Sequence, residues 1–288
     1  MNSQRLSPTL GVEIVGFDAR ELSDDDFGQI HEYLVEGAGV LVLRDQTLEP
    51  EQHIAFSRKF GDLFGEAEPL QNTVTRYLHP DHPQIFRVSN KEADGQPLGR
   101  SRAGNYWHSD VSFRLRPASV SLLYAIELPP IGGDTLFCST TLAYDSLSKE
   151  MRSFLDRLEA RHDFAINTQV GFSHEQIETD DLVGQNAAIH PVVRRHPDSG
   201  RKGLFVNPGN TSHILGLHEG ESRMLLAFLY KRCTQPEFIY RHSWRPHDLV
   251  IWDNRCTMHY AIVDYDADRY LHRTTVIGER PIPAISTD

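Results

Sequence analysis

The sequence predicts a mainly β protein with flanking helices, a β-sandwich or jelly roll of α+β class. Short runs rich in Val, Ile, Leu, Phe and Tyr recur along the chain, bounded by Gly, Pro, Asp or Asn. Stretches with helical spacing are few and lie between those runs. No internal repeat, low-complexity block or linker divides the 288 residues. A single domain over residues 1–288 is therefore expected, with lid segments near residues 65–104 and 163–188.

Residues 10–16 (LGVEIVG) alternate enough to open as a strand. Ser23 followed by Asp24, Asp25 and Asp26 reads as an N-cap with acids in the first turn, and Phe27, Ile30 and Leu34 supply the apolar stripe. Gly37 and Gly39 stop that helix, and residues 40–43 (VLVL) form a buried strand. Pro50 opens a second helix carrying Ile54, Phe56 and Phe60, closed by Gly61. Residues 62–104 are polar and broken by Gly, Pro, Asp and Asn, apart from a strand at 85–88. A surface connection and a flap over a site both suit such a stretch. Residues 119–128 (SVSLLYAIEL) are a strand, and 129–138 (PPIGGDTLFC) a turn into another. Helices follow over 141–147 and 149–160, the second capped by Ser148, and the polar residues 163–188 are the second lid candidate. Beyond them, β-type runs at 190–193, 203–207, 237–244, 248–253 and 272–278 surround a helix over 219–232 bearing Met224, Leu225, Phe228 and Leu229.

Composition narrows the partners. A hydrophobic fraction of 39% and a charged fraction of 24% allow a sizeable core. A net charge of −11, from 29 basic and 40 acidic residues, argues against a nucleic-acid binder, which would carry a basic surplus. Cys138, Cys233 and Cys256 are far apart and form no CxxC pair, so a reducing compartment fits better than a disulfide or zinc framework. The first residues (MNSQRLSPTL) lack the apolar stretch of a signal peptide, and no apolar run approaches membrane length. The expectation is a soluble cytoplasmic protein acting on a small molecule, with neither nucleic acid nor membrane as partner. The oligomeric state stays open, a homo-oligomer included.

Chemistry concentrates in residues 105–113 (NYWHSDVSF). If this stretch is a strand, His108 and Asp110 point to the same face, and an imidazole converges with a carboxylate. A borderline or hard divalent metal accepts that pair as two ligands. The third is sought in residues 251–265 (IWDNRCTMHYAIVDY), which carry His259 beside Trp252, Met258 and Tyr260. Two His and one carboxylate make up the facial triad of non-haem Fe(II) oxygenases, which leaves open coordination positions. On its own, His-x-Asp arises by chance in a chain with 15 His and 40 acidic residues, and a surface strand is the plainer reading of that spacing. Arg269 and Arg273 lie four apart in RYLHR, on one face in strand or helix, and two guanidiniums there could grip carboxylates in two-pronged fashion. Thr135 adds a hydroxyl donor at the start of a strand.

Taken in order, NYWHSDVSF, PPIGGDTLFC, HPDSGRKGLFVN, WDNRCTMHY and RYLHRTTV resemble the taurine dioxygenase family, from about residue 8 to residue 280. That family includes taurine and phenoxyacetate-herbicide dioxygenases. The resemblance implies a double-stranded β-helix core (jelly roll, cupin-like). It also implies Fe(II), 2-oxoglutarate and O2 as cofactor and cosubstrates. The implied reaction couples decarboxylation to succinate and CO2 with hydroxylation of a C–H bond. The implied iron ligands are His108, Asp110 and His259, with Arg269 and Thr135 on the distal carboxylate of 2-oxoglutarate. Arg273 matches the family arginine near the carboxylate end of substrate or cosubstrate. The charges agree: Fe(II), one aspartate and a doubly charged 2-oxo acid leave one net negative charge, which a buried Arg269 would neutralise. Because Asp110 is retained, halogenation is disfavoured, since related halogenases replace that carboxylate.

The resemblance implies less about substrate. Tyr77 and His79 in TRYLHPDHP do not register onto the sulfonate-holding flap of taurine enzymes, and the asparagine preceding the metal histidine is displaced to Asn105. Residues 86–98 (FRVSNKEADGQPL) resemble the phenoxyacetate enzymes at least as strongly. A small anionic or amphipathic organic molecule is expected, attracted by Arg273 and a cluster of Arg100, Arg102 and Arg114. Candidates are sulfonates, sulfate esters and aryloxyacids. Two rival classes are an Fe(II) oxygenase needing no 2-oxo acid, against which Arg269, Arg273 and Thr135 argue, and a non-catalytic jelly-roll sensor, against which an intact triad argues.

Overall fold

The computed structural model describes residues 2–21, 23–66, 68, 75–166 and 187–285, apart from the side chains of residues 37, 38 and 75. Its strands in chain order are β1 (Asn2–Arg5), β2 (Val12–Val15), β3 (Val40–Leu43), β4 (Phe86–Ser89), β5 (Glu92–Ala93), β6 (Gln96–Pro97), β7 (Ala118–Glu127), β8 (Thr135–Ser139) and β9 (Glu159–Asp163). They continue with β10 (Ala187–Pro191), β11 (Val193–Arg195), β12 (Lys202–Leu204), β13 (Thr211–Ile214), β14 (Ile239–His242), β15 (Leu249–Asp253), β16 (Thr257–Ala261), β17 (Tyr270–Ile277) and β18 (Ile282–Pro283). The helices are α1 (Asp24–Tyr33), α2 (Pro50–Arg58), α3 (Thr140–Asp145), α4 (Lys149–Leu155) and α5 (Glu219–Cys233).

A seven-stranded sheet in the order β1-β2-β3-β15-β7-β17-β4 forms one wall, and three-stranded sheets, among them β14-β8-β16, form the other. Every pairing in the large sheet is antiparallel except β2 with β3. The alternation of side chains along the central strands explains why they read as continuous apolar runs. Leu41, Leu43, Leu122, Tyr124, Leu249 and Ile251 pack with Ile30, Leu34, Ile54 and Phe56 of the N-terminal helical region. Their neighbours Val40, Val42, Leu123, Ala125, Val250 and Trp252 pack instead with Phe137 and Tyr240 of the small sheet. On that sheet's other side, Cys138 and Met258 meet Ala143, Leu226 and Leu229 of α3 and α5. The layers are thus helix, sheet, sheet, helix, which is the expected jelly roll with flanking helices.

Local chemistry sets the ends of these elements. Ser23 caps α1, its Oγ accepting from the Asp26 N–H at 3.1 Å while Asp26 reaches back to the Ser23 N–H. The chain leaves α1 through a π-turn closed by Gly39 at φ 58. Ser148 caps α4, but that helix ends at Leu155 rather than near residue 160. The next residues are claimed by β9, held between β10 and β13, so tertiary pairing overrides a helical pattern. Among the strands absent from the sequence reading, β1, β5 and β6 are almost wholly exposed and carry little apolar signal.

Of the expected lids, residues 67, 69–74 and 167–186 lie outside the described residues, and with them most of the 163–188 segment. The described part of 65–104 is built onto the large sheet: β4 pairs with β17, and Tyr77 is buried edge-on against Phe86.

Candidate active site

Residues 105–113 are not a strand. His108 makes a single antiparallel bridge with His259 of β16, each N–H donating to the other's carbonyl at 3.1 and 2.9 Å. The chain then turns at residues 110–113, with Val111 at φ 46, and that turn brings Asp110 back beside the two imidazoles. The carboxylate therefore arrives by reversal of the backbone and not by strand alternation. The imidazole centroids stand 4.1 Å apart, and Asp110 lies 3.7 Å from His108 Nε2 and 3.9 Å from His259 Nε2. One donor atom from each of the three residues falls within 4.8 Å of the others, and all three residues are buried.

The electrostatics suit a divalent cation. Burial lowers the pKa of both histidines, so each keeps a neutral ring. His108 Nδ1 lies 2.8 Å from the Tyr106 carbonyl, which assigns the proton to Nδ1 and leaves the Nε2 lone pair facing Asp110. Burial works against ionised Asp110, but the Arg273 guanidinium, the two imidazoles and the Ser121 hydroxyl outweigh it, and its carboxyl is lowered to about 2. Two neutral imidazoles and one ionised carboxylate form a donor set that fits Fe(II).

One cavity joins the two imidazoles of this triad to the arginines. His108, His259, Thr135, Arg269 and Arg273 line it, with Val88, Leu123, Trp252 and Ala261 as apolar walls. Arg269 is 3% exposed, and among the described residues no carboxylate forms an ion pair with it. Its Nη2 makes one long bond to the Gly133 carbonyl at 3.3 Å, its Nε has no partner, and Trp244 and Tyr265 stand 5.9 and 5.7 Å away as aromatic faces. Burial accordingly pulls its pKa below the ordinary arginine value. Trp244 Nε1–H donates to Thr135 Oγ1 at 3.0 Å, which leaves the threonine proton free to donate elsewhere. The glycines of the PPIGGDT turn make this cradle possible: Gly133 sits at φ 74, and a Cβ there would come within 3.2 Å of Arg269 Nε. A buried cation without a counter-charge, next to a free hydroxyl, fits a carboxylate ligand such as the far end of 2-oxoglutarate.

Arg273 sits differently. It donates to Asp110 Oδ1 at 2.8 Å, its guanidinium lies 5.0 Å over the Phe86 ring, and its Nε is unpartnered. Of the expected arginine cluster, Arg100 is near enough to His108 to press its pKa down, Arg102 is exposed, and Arg114 is half-buried in the turn after Asp110. The sequence reading missed Ser121, Asn254 and Trp244. Ser121 could have been flagged as a polar residue in an otherwise apolar strand, and Asn254 as part of WDNR.

A second group with metal-like composition, His196, Asp253 and Cys256, is a structural lock. Asp253 is gripped by Arg255 at 2.9 and 2.6 Å and by His196 Nε2 at 3.0 Å, while His196 Nδ1 accepts from two backbone N–H groups. The Cys256 thiol donates to the Asp253 carbonyl at 3.8 Å and burial pushes its pKa up, so no ligand atom there is idle. The lock braces the turn between β15 and β16 that leads to His259.

Residues 2–275 match the profile of the family described as taurine catabolism dioxygenase TauD, TfdA family. The chain belongs to this family. A 2,4-dichlorophenoxyacetate dioxygenase from Cupriavidus pinatubonensis, named as α-ketoglutarate-dependent, is 39% identical over 95% of this chain and 96% of its own. A sulfonate dioxygenase from Saccharomyces cerevisiae, named likewise, is 33% identical over 97% of this chain and 67% of its own. Among solved structures, AAD-2 in complex with Mn(II) and N-oxalylglycine superposes with a TM-score of 0.80 at 31% identity, covering 97% of this chain and 99% of that one. As a member of the TauD, TfdA family the chain is a dioxygenase, an oxidoreductase, with Fe(II), 2-oxoglutarate and O2 as cofactor and cosubstrates. Its fold is the family's jelly roll. None of its described helices is long and apolar enough to cross a membrane.

Proposed function

We propose that this dioxygenase hydroxylates a C–H bond of a small organic anion with an apolar body, of the aryloxyacid, sulfonate or sulfate ester kind. His108, Asp110 and His259 hold the Fe(II), and Arg269 with Thr135 holds the distal carboxylate of 2-oxoglutarate. When bound, the iron supplies the oxidative chemistry that couples formation of succinate and CO2 to hydroxylation. The protein's part is placement. Arg269 and Thr135 set the depth at which the cosubstrate enters, and the Nδ1–H bond to Tyr106 keeps His108 in the ligating tautomer. Val88, Leu123, Trp252 and Ala261 keep the cavity dry, so charged contacts inside it are strong.

The observation that carries this reading is a single cavity lined both by the two imidazoles of the His/Asp/His triad and by a buried Arg269 that forms no ion pair among the described residues. Arg273, between Asp110 and the cavity, is the residue for the substrate anion: its Nε remains unbonded after it pairs with Asp110. The relatives named for 2,4-dichlorophenoxyacetate and for sulfonates support an anionic group on an organic body. The three separate thiols support a cytoplasmic, reducing setting. The test is a panel of aryloxyacids, sulfonates, sulfate esters and amino acids incubated with Fe(II), 2-oxoglutarate and O2, read as succinate and hydroxylated product. Succinate that rises only with one anionic class assigns the substrate; succinate equal across the panel and its blank refutes an anion site at Arg273.

A further inference from the structure

Asp110 is the member of the triad that no strand holds, since it stands in a turn after the lone bridge at His108. Its carboxylate is nevertheless gripped from two sides. Arg273 donates to Oδ1, and Ser121 of β7 donates through Oγ to Oδ2 at 2.8 Å. Behind Ser121 stands Asn254, whose Nδ2–H donates to Ser121 Oγ at 2.9 Å. Asn254 Oδ1 accepts from the Asp110 backbone N–H at 3.0 Å and from Trp252 Nε1–H at 3.1 Å.

The direction of this chain is determined by which groups can donate. Indole and backbone N–H groups are donors only, so the Asn254 oxygen must face both of them and the amide cannot flip. Its NH2 then faces Ser121, whose oxygen accepts and whose single proton is left for Asp110. The run Trp252 to Asn254 to Ser121 to Asp110 has one consistent polarity, and Ser121, Trp252 and Asn254 are 0%, 1% and 2% exposed. Satisfied buried networks of this kind rigidify whatever they end on.

We infer that Ser121 and Asn254 are positioning residues for the metal carboxylate, fixing the rotation of the Asp110 side chain so that its lone pairs face the two imidazoles. This rests on the assignment of His108, Asp110 and His259 as the metal ligands. The sequence separation of the partners, 11 residues for Ser121 and 144 for Asn254, means that the fold and not the local turn orients Asp110. Residues orienting a ligating group typically change metal affinity by roughly 10–100-fold when removed.

The experiment is a titration of the full chain with Mn(II), following free Mn(II) by electron paramagnetic resonance, for the parent, Ser121→Ala, Ser121→Cys, Asn254→Ala and the Ser121→Ala/Asn254→Ala double variant. Ser121→Cys keeps the volume and offers only a weak donor, so it decides the matter should Ser121→Ala not fold. Each single variant is expected to weaken Mn(II) binding roughly 10–100-fold. The double variant is expected to be little worse than the weaker single, because both cut the same chain. Melting of the metal-free Ser121 variants close to that of the parent separates this effect from loss of fold. Parent-like Mn(II) binding by both Ser121 variants overturns the inference while leaving the ligand assignment standing. A parent chain that binds no Mn(II), or that binds it equally well as His259→Ala, removes the ligand assignment and the inference with it.

Discussion

Replacing Arg269 by alanine should remove most of the affinity for 2-oxoglutarate. Arg269 is 3% exposed, forms no ion pair with a carboxylate among the described residues, and reaches the Gly133 carbonyl at 3.3 Å with the Trp244 and Tyr265 rings beside it. An entering carboxylate is therefore its counter-charge, and without the guanidinium that carboxylate is buried against Thr135 alone. Breaking a buried pair by deleting one partner costs about 3–5 kcal/mol. At about 1.4 kcal/mol per decade, this is a ~10²–10³-fold or larger loss in affinity. Arg269→Lys should recover part of it, since an ammonium keeps the charge and loses the two-pronged geometry. Arg269→Met should melt no lower than the parent without ligands, because it removes a buried cation that has no counter-charge. The assay is anaerobic titration of 2-oxoglutarate into the Fe(II) protein, followed by the metal-to-ligand charge-transfer band, with thermal melts alongside. An Arg269→Ala protein that titrates like the parent would refute the reasoning and move the cosubstrate carboxylate to Arg273.

Three other outcomes are expected. The parent should bind one Fe(II) per chain and His259→Ala should lose turnover, so full activity of that variant without added imidazole rules His259 out as a ligand. Gly104→Ala should weaken metal binding, because Gly104 lies at φ 76 and a Cβ there would sit 3.0 Å from His108 Cε1; unchanged Mn(II) affinity would show that the imidazole can yield. Stability should fall with acid: burial depresses His53 and His162 to about 3 and His190 and His272 to about 4, from an ordinary 6.5. These groups are neutral when folded, so their stabilisation is whole above the unfolded value and is lost as pH falls from 6.5 toward 4 for His190 and His272 and toward 3 for His53 and His162, by about 2 kcal/mol per histidine at pH 5. Urea midpoints that are equal at pH 7.5 and 5 would contradict it.

Much of this was legible because the residues announce themselves locally. Ser23 with Asp26, the Pro50 start of α2 and the apolar runs at 40–43 and 248–253 correspond to caps and doubly buried strands in the structure. His108, Asp110, His259, Arg269, Arg273 and Thr135, picked out from spacing and resemblance, converge on one site. What the sequence concealed depends on distant partners. Nothing in SFLDRLEARHD announces that residues 159–163 leave helical spacing to pair with β10 and β13. Nothing in HSDV announces that a β-branched residue will take a positive φ and turn Asp110 around. The readiness of Asn254 and Ser121 to hold Asp110 is equally silent, since each residue taken alone is an ordinary turn or strand position.

The mutual backbone bond between His108 and His259 divides the labour of the cavity. The backbones that carry the two imidazoles are pinned to each other, and no side-chain substitution short of proline removes those bonds. Much of the apolar wall arrives on other elements, Val88 on β4 and Leu123 on β7. Those walls can be enlarged, narrowed or made polar without redrawing the backbone that carries the histidines. For a designer, the imidazole pair is a fixed fitting and the cavity wall an interchangeable one: libraries at Val88 and Leu123 should trade one acid for another while the histidine backbone stays as it is.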